Sequence, residues 1–267
     1  MKLPEPKKFR RGTGPLVSVL LPTRKRPESL VASIESIVNN MKDPIRIEFL
    51  LKVDDDDLAT IQVCSSLSAK IPNFHFEVSP RGAGYGDMHL WLNRLVVKAT
   101  GDWVLLWNDD ARMLTKYWDE GLVNATYTLG PLSLYDFSDV FAYAIHIANK
   151  QSSSQPNQAG DLEFALYRKK IFDILGYFSL APQTNNWLWY ALTSAGVEIH
   201  WCPVRVHHLV HDNPVQDITY REREIVYWSE TVGGKRDLLY SREAWKSRLE
   251  AARKLIDWSE KSYAGEV

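Results

Sequence analysis

The feature that most constrains the fold is an apolar run that ends abruptly in acid: Trp103-Val-Leu-Leu-Trp107 passes directly into Asn108-Asp109-Asp110. A run this short and this apolar suits a strand buried on both faces, so two carboxylates emerge together at its end. Adjacent carboxylates repel and lose hydration there unless a cation joins them, and a divalent metal with oxygen ligands is the usual partner. Turn formation or helix capping by Asn and Asp is the plain alternative. A second strand-like run, Ile47-Glu-Phe-Leu-Leu-Lys-Val53, ends the same way, in Asp54-Asp55-Asp56-Asp57. One acidic run alone suits a solvated loop. Two at strand ends suit a ligand site, because ligands of open α/β sheets gather at the carboxyl ends of strands.

Around these runs, strand and helix signals alternate. Leu16 to Leu21 forms a strand pattern that stops at Pro22-Thr23, and Pro27 opens a helix with Leu30, Ile34 and Ile37 at helical spacing. A strand over 45–53, a helix over 60–68, a strand over 75–79 and a Gly-rich loop at Gly82–Gly86 follow. A helix over 87–99, ended by Gly101, leads into the Trp103 run. This βαβα order predicts an α/β fold with a mostly parallel sheet covered by helices.

The second half is less regular. Val140–Ile147 has a strand pattern, and the polar stretch from Gln151 to Gly160 is either a lid or a surface excursion. A helix over 185–195 ends at Gly196, and a strand over 197–201 follows it. From Arg242 to Trp258, the positions Trp245, Leu249, Leu255 and Trp258 mark an amphipathic helix that packs on the body or on a partner chain, which leaves a homo-oligomer open.

Composition fits a soluble enzyme. The 267 residues carry a net charge of −1, which argues against non-specific nucleic-acid binding, although basic groups cluster at Lys7–Arg11 and Arg24–Arg26. No apolar run approaches a membrane span and no secretory signal pattern is present. With Cys64 and Cys202 as the only cysteines, no disulfide framework is expected, in keeping with a reducing, cytoplasmic compartment.

The order of these signals resembles the nucleotide-sugar glycosyltransferases of family two, with the fold called GT-A, over roughly residues 16–210. Val17-Ser-Val-Leu-Leu-Pro22-Thr23-Arg24 resembles the opening strand whose end meets the nucleotide, and Asp54 or Asp55 matches the acidic residue that faces the uracil base. Asn93, with Gly101 eight positions later, resembles the run that leads into the family's DxD motif, which falls here on Asn108-Asp109-Asp110. The resemblance implies a single GT-A domain over 1–211, with a nucleotide-binding half near 15–114 and an acceptor half near 115–211, then a helical extension over 212–267.

It also implies chemistry. Loss of a nucleoside diphosphate builds negative charge on the bridging oxygen, and Mn2+ or Mg2+ held by Asp110, with help from Asp109, stabilises it. Asn108 departs from the usual Asp, yet an amide still hydrogen-bonds a ribose. Arg24, Arg26, Arg81 and Arg112 are candidates to meet the diphosphate or the acceptor. Trp201-Cys-Pro-Val-Arg-Val-His207-His208, with His211 beyond, resembles the metal-completing His segment of the polypeptide N-acetylgalactosaminyl type, with His208 in the ligand position.

The catalytic base is the main departure. Counting back from Gly196, Thr184-Asn185 stands where inverting relatives carry an acidic pair, so no carboxylate base is present there. Retention with Asn185, a base from Asp161, Glu163 or Asp212, and lost catalysis all remain open. The leading expectation is a metal-dependent transferase that moves a sugar from a nucleotide-sugar donor, a UDP sugar in first place, to a glycan or other hydroxyl acceptor. A nucleotidyltransferase is the enzymatic alternative, although Pro22-Thr-Arg-Lys-Arg-Pro27 lacks the Gly-rich phosphate loop such enzymes carry. A non-catalytic glycan- or nucleotide-binding module is the third, with ten Trp residues available for stacking.

Overall fold

A computed structural model describes residues 16–120, 142–147, 164–197, 199–209 and 241–264. The proposed lid from Gln151 to Gly160, together with Asp161, Glu163, His211 and Asp212, lies outside the described residues. The strands are β1 (Val17–Thr23), β2 (Ile47–Asp54), β3 (Phe74–Ser79), β4 (Trp103–Leu106), β5 (Ala111–Met113), β6 (Ala142–Ile147), β7 (Ala165–Arg168) and β8 (Ile199–His208). The helices are α1 (Pro27–Val38), α2 (Leu58–Ser68), α3 (Met88–Val96), α4 (Lys169–Leu175), α5 (Thr184–Ser194) and α6 (Arg242–Tyr263).

All eight described strands join one sheet in the order β3-β2-β1-β4-β7-β6-β8-β5. β3, β2, β1 and β4 run parallel, so Thr23, Asp54 and the residues after Leu106 come out at the same edge. Beyond β4 the sheet is mixed: β7 is antiparallel to β4 and β6, β8 parallel to β6, and β5 antiparallel to β8.

Strand alternation sets two apolar layers. Val17, Val19 and Leu21 join Leu30, Ile34 and Ile37 of α1 in one, while Leu20, Val104 and Tyr167 join Leu92 of α3, Trp187 of α5 and Leu255 of α6 in the other. The helix near the C-terminus therefore shares the core of the sheet. Among the described residues, no helix is long and apolar enough to cross a membrane.

Close packing at the start of β4 demands glycine. A Cβ at Gly101 would stand 2.8 Å from the Ser18 backbone nitrogen, whereas the Gly101 N–H donates to the Ser18 hydroxyl at 2.9 Å. At the other end of the sheet, β8 continues past the expected stop at Trp201. Its pairing with β6 skips between Ile145 and His146, from Cys202 to Arg205, and Pro203 falls in that bulge, where its missing N–H breaks no ladder bond.

Candidate active site at the strand ends

The acidic end of β4 is held from beneath by a row of serines. Ser29, Ser33 and Ser36 lie one helical turn apart on α1. The Ser29 hydroxyl donates to the Asp109 carbonyl at 2.9 Å, and the Ser33 hydroxyl to the Asn108 carbonyl at 3.2 Å while accepting the Trp107 indole N–H at 2.7 Å. Ser36 accepts the Met113 N–H at 2.9 Å. These serines escaped the sequence reading, which followed only the apolar stripe of α1. Their own i, i+4, i+7 spacing beside that stripe was the available signal.

β5 then turns the chain so that Ala111 pairs with His208, and the Leu209 N–H donates to the Asp110 carbonyl at 3.0 Å. This register brings the His208 imidazole to Asp110 across about a hundred residues of sequence: Nε2 lies 3.1 Å from Asp110 Oδ1 and 3.4 Å from Asn108 Nδ2. Phe164 packs edge-on against the imidazole at 5.2 Å between ring centres.

On the other side of the pair stands the loop between β1 and α1. Arg26 Nη1 lies 2.8 Å from Asp109 Oδ1 and 3.2 Å from Asp110 Oδ2, and the Thr23 hydroxyl donates to Asp109 Oδ2 at 2.7 Å. Arg26 thus sets a cation of the chain's own beside the adjacent carboxylates. Burial pushes the Asp109 carboxyl upward and the charge of Asp110 adds to the rise, against the pull of Arg26 and Thr23; the net direction is up. Burial also raises Asp110, but the hydrogen bond and charge of His208, with Arg26, outweigh it and the net direction is down. Burial lowers Arg112, whose side chain reaches the Ala111 carbonyl at 2.8 Å.

The four aspartates after β2 divide their work. Asp54, 2 % exposed, accepts from Arg24 Nη1 at 2.6 Å and from the buried Lys52 ammonium, which also lies 4.0 Å from the centre of the Trp91 ring. Asp56 pairs with Arg24, with 2.8 Å between Nη2 and Oδ2, and this partner lowers its carboxyl to about 2. Asp57 caps α2 through the Thr60 N–H at 3.3 Å and also accepts the Lys25 N–H at 2.5 Å. Asp55, between them, is exposed. Three of these carboxylates therefore fasten neighbouring loops, including the strained turn at Lys25, where φ is 53°.

Two other expected site residues bond elsewhere. Asn93 on α3 donates to the Ser179 carbonyl at 2.8 Å and accepts the Phe178 and Ser179 N–H groups at 2.7 and 2.9 Å, so it clamps the segment that precedes α5. Asn185 sits in the first turn of α5, where its Oδ1 lies 3.4 Å from the Thr184 hydroxyl. Pro22 lies within β1, opposite Lys52 of β2.

The model of glycosyl transferase family 2 matches residues 18–182, more than half of the chain, including the ends of β1, β2 and β4 but not His208. The chain belongs to glycosyl transferase family 2. Among solved structures, a mannosyltransferase of this fold from Pyrobaculum calidifontis, PcManGT in complex with GDP-Man and Mn2+, has a TM-score of 0.52 at 13% identity over 95% of this chain and 88% of that one. TarS 1–349 from S. aureus has a TM-score of 0.50 at 15% identity over 90% and 81%. In its complex with UDP the same TarS segment has a TM-score of 0.49 at 17% identity, and this chain spans 55% of it. At such identities the likeness shows the fold. A search of curated proteins returns no match.

For a family-2 chain the metal question becomes a test of fit. Among the described residues, no group of three or more His, Cys, Asp and Glu is arranged to hold a metal. A pair is present: neighbouring ligands of an octahedral ion at about 2.1 Å stand about 3.0 Å apart, and Asp110 Oδ1 and His208 Nε2 are separated by 3.1 Å. Their chemistry, one carboxylate and one imidazole, suits Mn2+ and tolerates Mg2+.

Proposed function

We propose that this chain is a divalent-metal-dependent glycosyltransferase that takes a sugar from a nucleoside diphosphate sugar, with a UDP sugar as the first donor to test, and places it on a glycan or another hydroxyl acceptor. The observation that carries this reading is the pair Asp110 and His208, brought together by β5 and β8 at the edge where β1, β2 and β4 all end. Asp110 and His208 would hold the ion, with the diphosphate completing its shell in the manner of metals bound by few protein groups. When bound, the ion supplies charge stabilisation to the departing diphosphate.

The remaining roles belong to the chain. Thr23 and the serines of α1 fix the strand end so that Asp109 and Asp110 cannot turn away. Asn108 offers its amide to the ribose. Asp55, exposed at the rim, accepts the imide hydrogen of uracil, while Asp54 beneath it holds Arg24 in place. Pro22 and Arg24 shape the floor on which the nucleotide lies, and Asn93 fixes the approach to α5. Asn185 cannot take a proton at neutral pH, so its part is to orient an acceptor hydroxyl by hydrogen bonding.

Incubation with UDP and GDP sugars and Mn2+ tests the reading through the products. Released nucleoside diphosphate together with glycosylated acceptor or free sugar supports it. Pyrophosphate release instead identifies a nucleotidyltransferase, and nucleotide binding with no turnover identifies a binding module.

A further inference from the structure

A divalent ion drawn to Asp109 and Asp110 meets a cation already in place. Arg26 Nη1 lies between the two carboxylates, 2.8 Å from one and 3.2 Å from the other. Arg112 adds a second positive charge at the same corner, close enough to reach the Asp109 carbonyl at 3.5 Å. Asn108 stands where a third carboxylate would strengthen the pull on a metal. Two arginines thus face two aspartates, and an incoming ion is repelled by Arg26 as long as the guanidinium stays where it is.

The backbone beneath Arg26 is held firmly. Thr23 is bonded to Asp109, Arg24 to Asp54 and Asp56, and the Lys25 N–H to Asp57, while Pro27 opens α1 one residue later. Motion is therefore left to the Arg26 side chain, 20 % exposed and long enough to swing about its fixed Cα. A diphosphate arriving at the same strand ends offers the planar guanidinium two oxygens to hydrogen-bond at once.

Building on the metal site proposed above, we propose that Arg26 is a built-in counter-cation of the carboxylate pair that passes to the donor diphosphate, so that metal and nucleotide bind well only together. By linkage, the factor by which nucleotide tightens metal binding equals the factor by which metal tightens nucleotide binding. Removing the charge at position 26 loosens this dependence from the metal side.

Mn2+ titration of the full chain, followed by electron paramagnetic resonance with and without UDP or GDP, tests the proposal. In the wild type, Mn2+ alone binds weakly and nucleotide tightens it by roughly 5- to 150-fold, the usual range for coupled sites. Arg26→Gln binds Mn2+ alone more tightly and shows a smaller nucleotide effect, and Arg26→Lys, which keeps the charge, stays near the wild type. Unchanged or weaker Mn2+ binding in a folded Arg26→Gln protein overturns the proposal, as does Arg26→Lys behaving like Arg26→Gln. Asp110→Asn separates the two levels of argument. If it abolishes Mn2+ binding while Arg26→Gln has no effect, the metal site stands and the counter-cation falls; if the wild type fails to bind Mn2+ even with nucleotide, both fall.

Discussion

Asp110 is the side chain at which two physical readings of the acidic strand end part company. As a metal ligand it needs its full charge, and Asp110→Asn should lower donor turnover by roughly a hundredfold or more. As a turn-former it would be replaced by Asn almost silently. His208→Ala should follow Asp110→Asn in metal affinity, because both atoms face one another at 3.1 Å, and Asn108→Asp should bind metal at least as well as the wild type. Manganese affinity and donor hydrolysis in the three variants decide the matter, and full activity of Asp110→Asn without metal would sink the metal site. Cys64 carries a second prediction at this scale. Burial, aided by the charge of Asp57, raises its thiol from 9.0 to about 12, so the unfolded chain ionises first as pH climbs. Its protonated thiol is tolerated equally by both states below 9.0, and stability falls between that value and about 12. Urea unfolding at about pH 8 and about pH 10.5 should show this loss, and Cys64→Ala should reduce the slope. An equal slope in the variant would show that other groups carry it.

Elements explain which parts of the fold were legible. α1, β2, α2, β3 and α3 announce themselves by long periodic runs between Pro, Gly and Asp signals, and they form where that pattern places them. β5 and β7 have three and four residues, too few for a period to emerge, and α4 follows β7 without a connecting loop, so no breaker separates strand from helix. The site divides along the same line. The carboxylates at the ends of β2 and β4 are visible as apolar-to-acidic transitions, whereas the approach of His208 to Asp110 depends on the pairing of β5 with β8. The serines of α1 and the pairing of Arg26 are tertiary facts: Arg26 precedes Asp109 by 83 positions, and nothing local marks it as that residue's partner. The acidic run after β2 carries a structural role that its sequence does not announce, since Asp54, Asp56 and Asp57 hold Arg24 and Lys25. Accordingly Asp55→Ala should weaken nucleotide binding at unchanged stability, while Asp54→Ala, which strands the buried Lys52, should lower stability first. Isothermal titration with UDP beside urea unfolding separates them, and equal effects of both variants would reject this division. Ser33→Ala removes the acceptor of the Trp107 indole and the donor to the Asn108 carbonyl, and it should cost about 1–3 kcal/mol.

At the scale of the whole molecule, the question is whether the helix near the C-terminus is an appendage or part of the domain that holds the site. Its own composition suggests an appendage, since Arg242 to Lys261 is rich in charge and Trp245 is 56 % exposed. Packing says otherwise. Ala251, Ala252 and Leu255 are buried among Trp187, Leu188 and Phe172, and the Trp187 indole N–H donates to the Ser247 hydroxyl at 3.0 Å. Through α5 the same layer reaches Val104 on β4, whose end carries the acidic pair, and Tyr167 on the neighbouring β7. One continuous layer of this kind unfolds as a unit. Leu255→Ala should therefore destabilise the main unfolding transition by about 2–5 kcal/mol, the usual range for a leucine removed from a packed core. The amides of α6 should exchange with solvent as slowly as those of β1, because both open only with the whole domain. A Leu255→Ala protein whose main transition is unmoved, with α6 exchanging early, would make the helix a separate unit and leave the acidic edge to be stabilised by the sheet and the remaining helices.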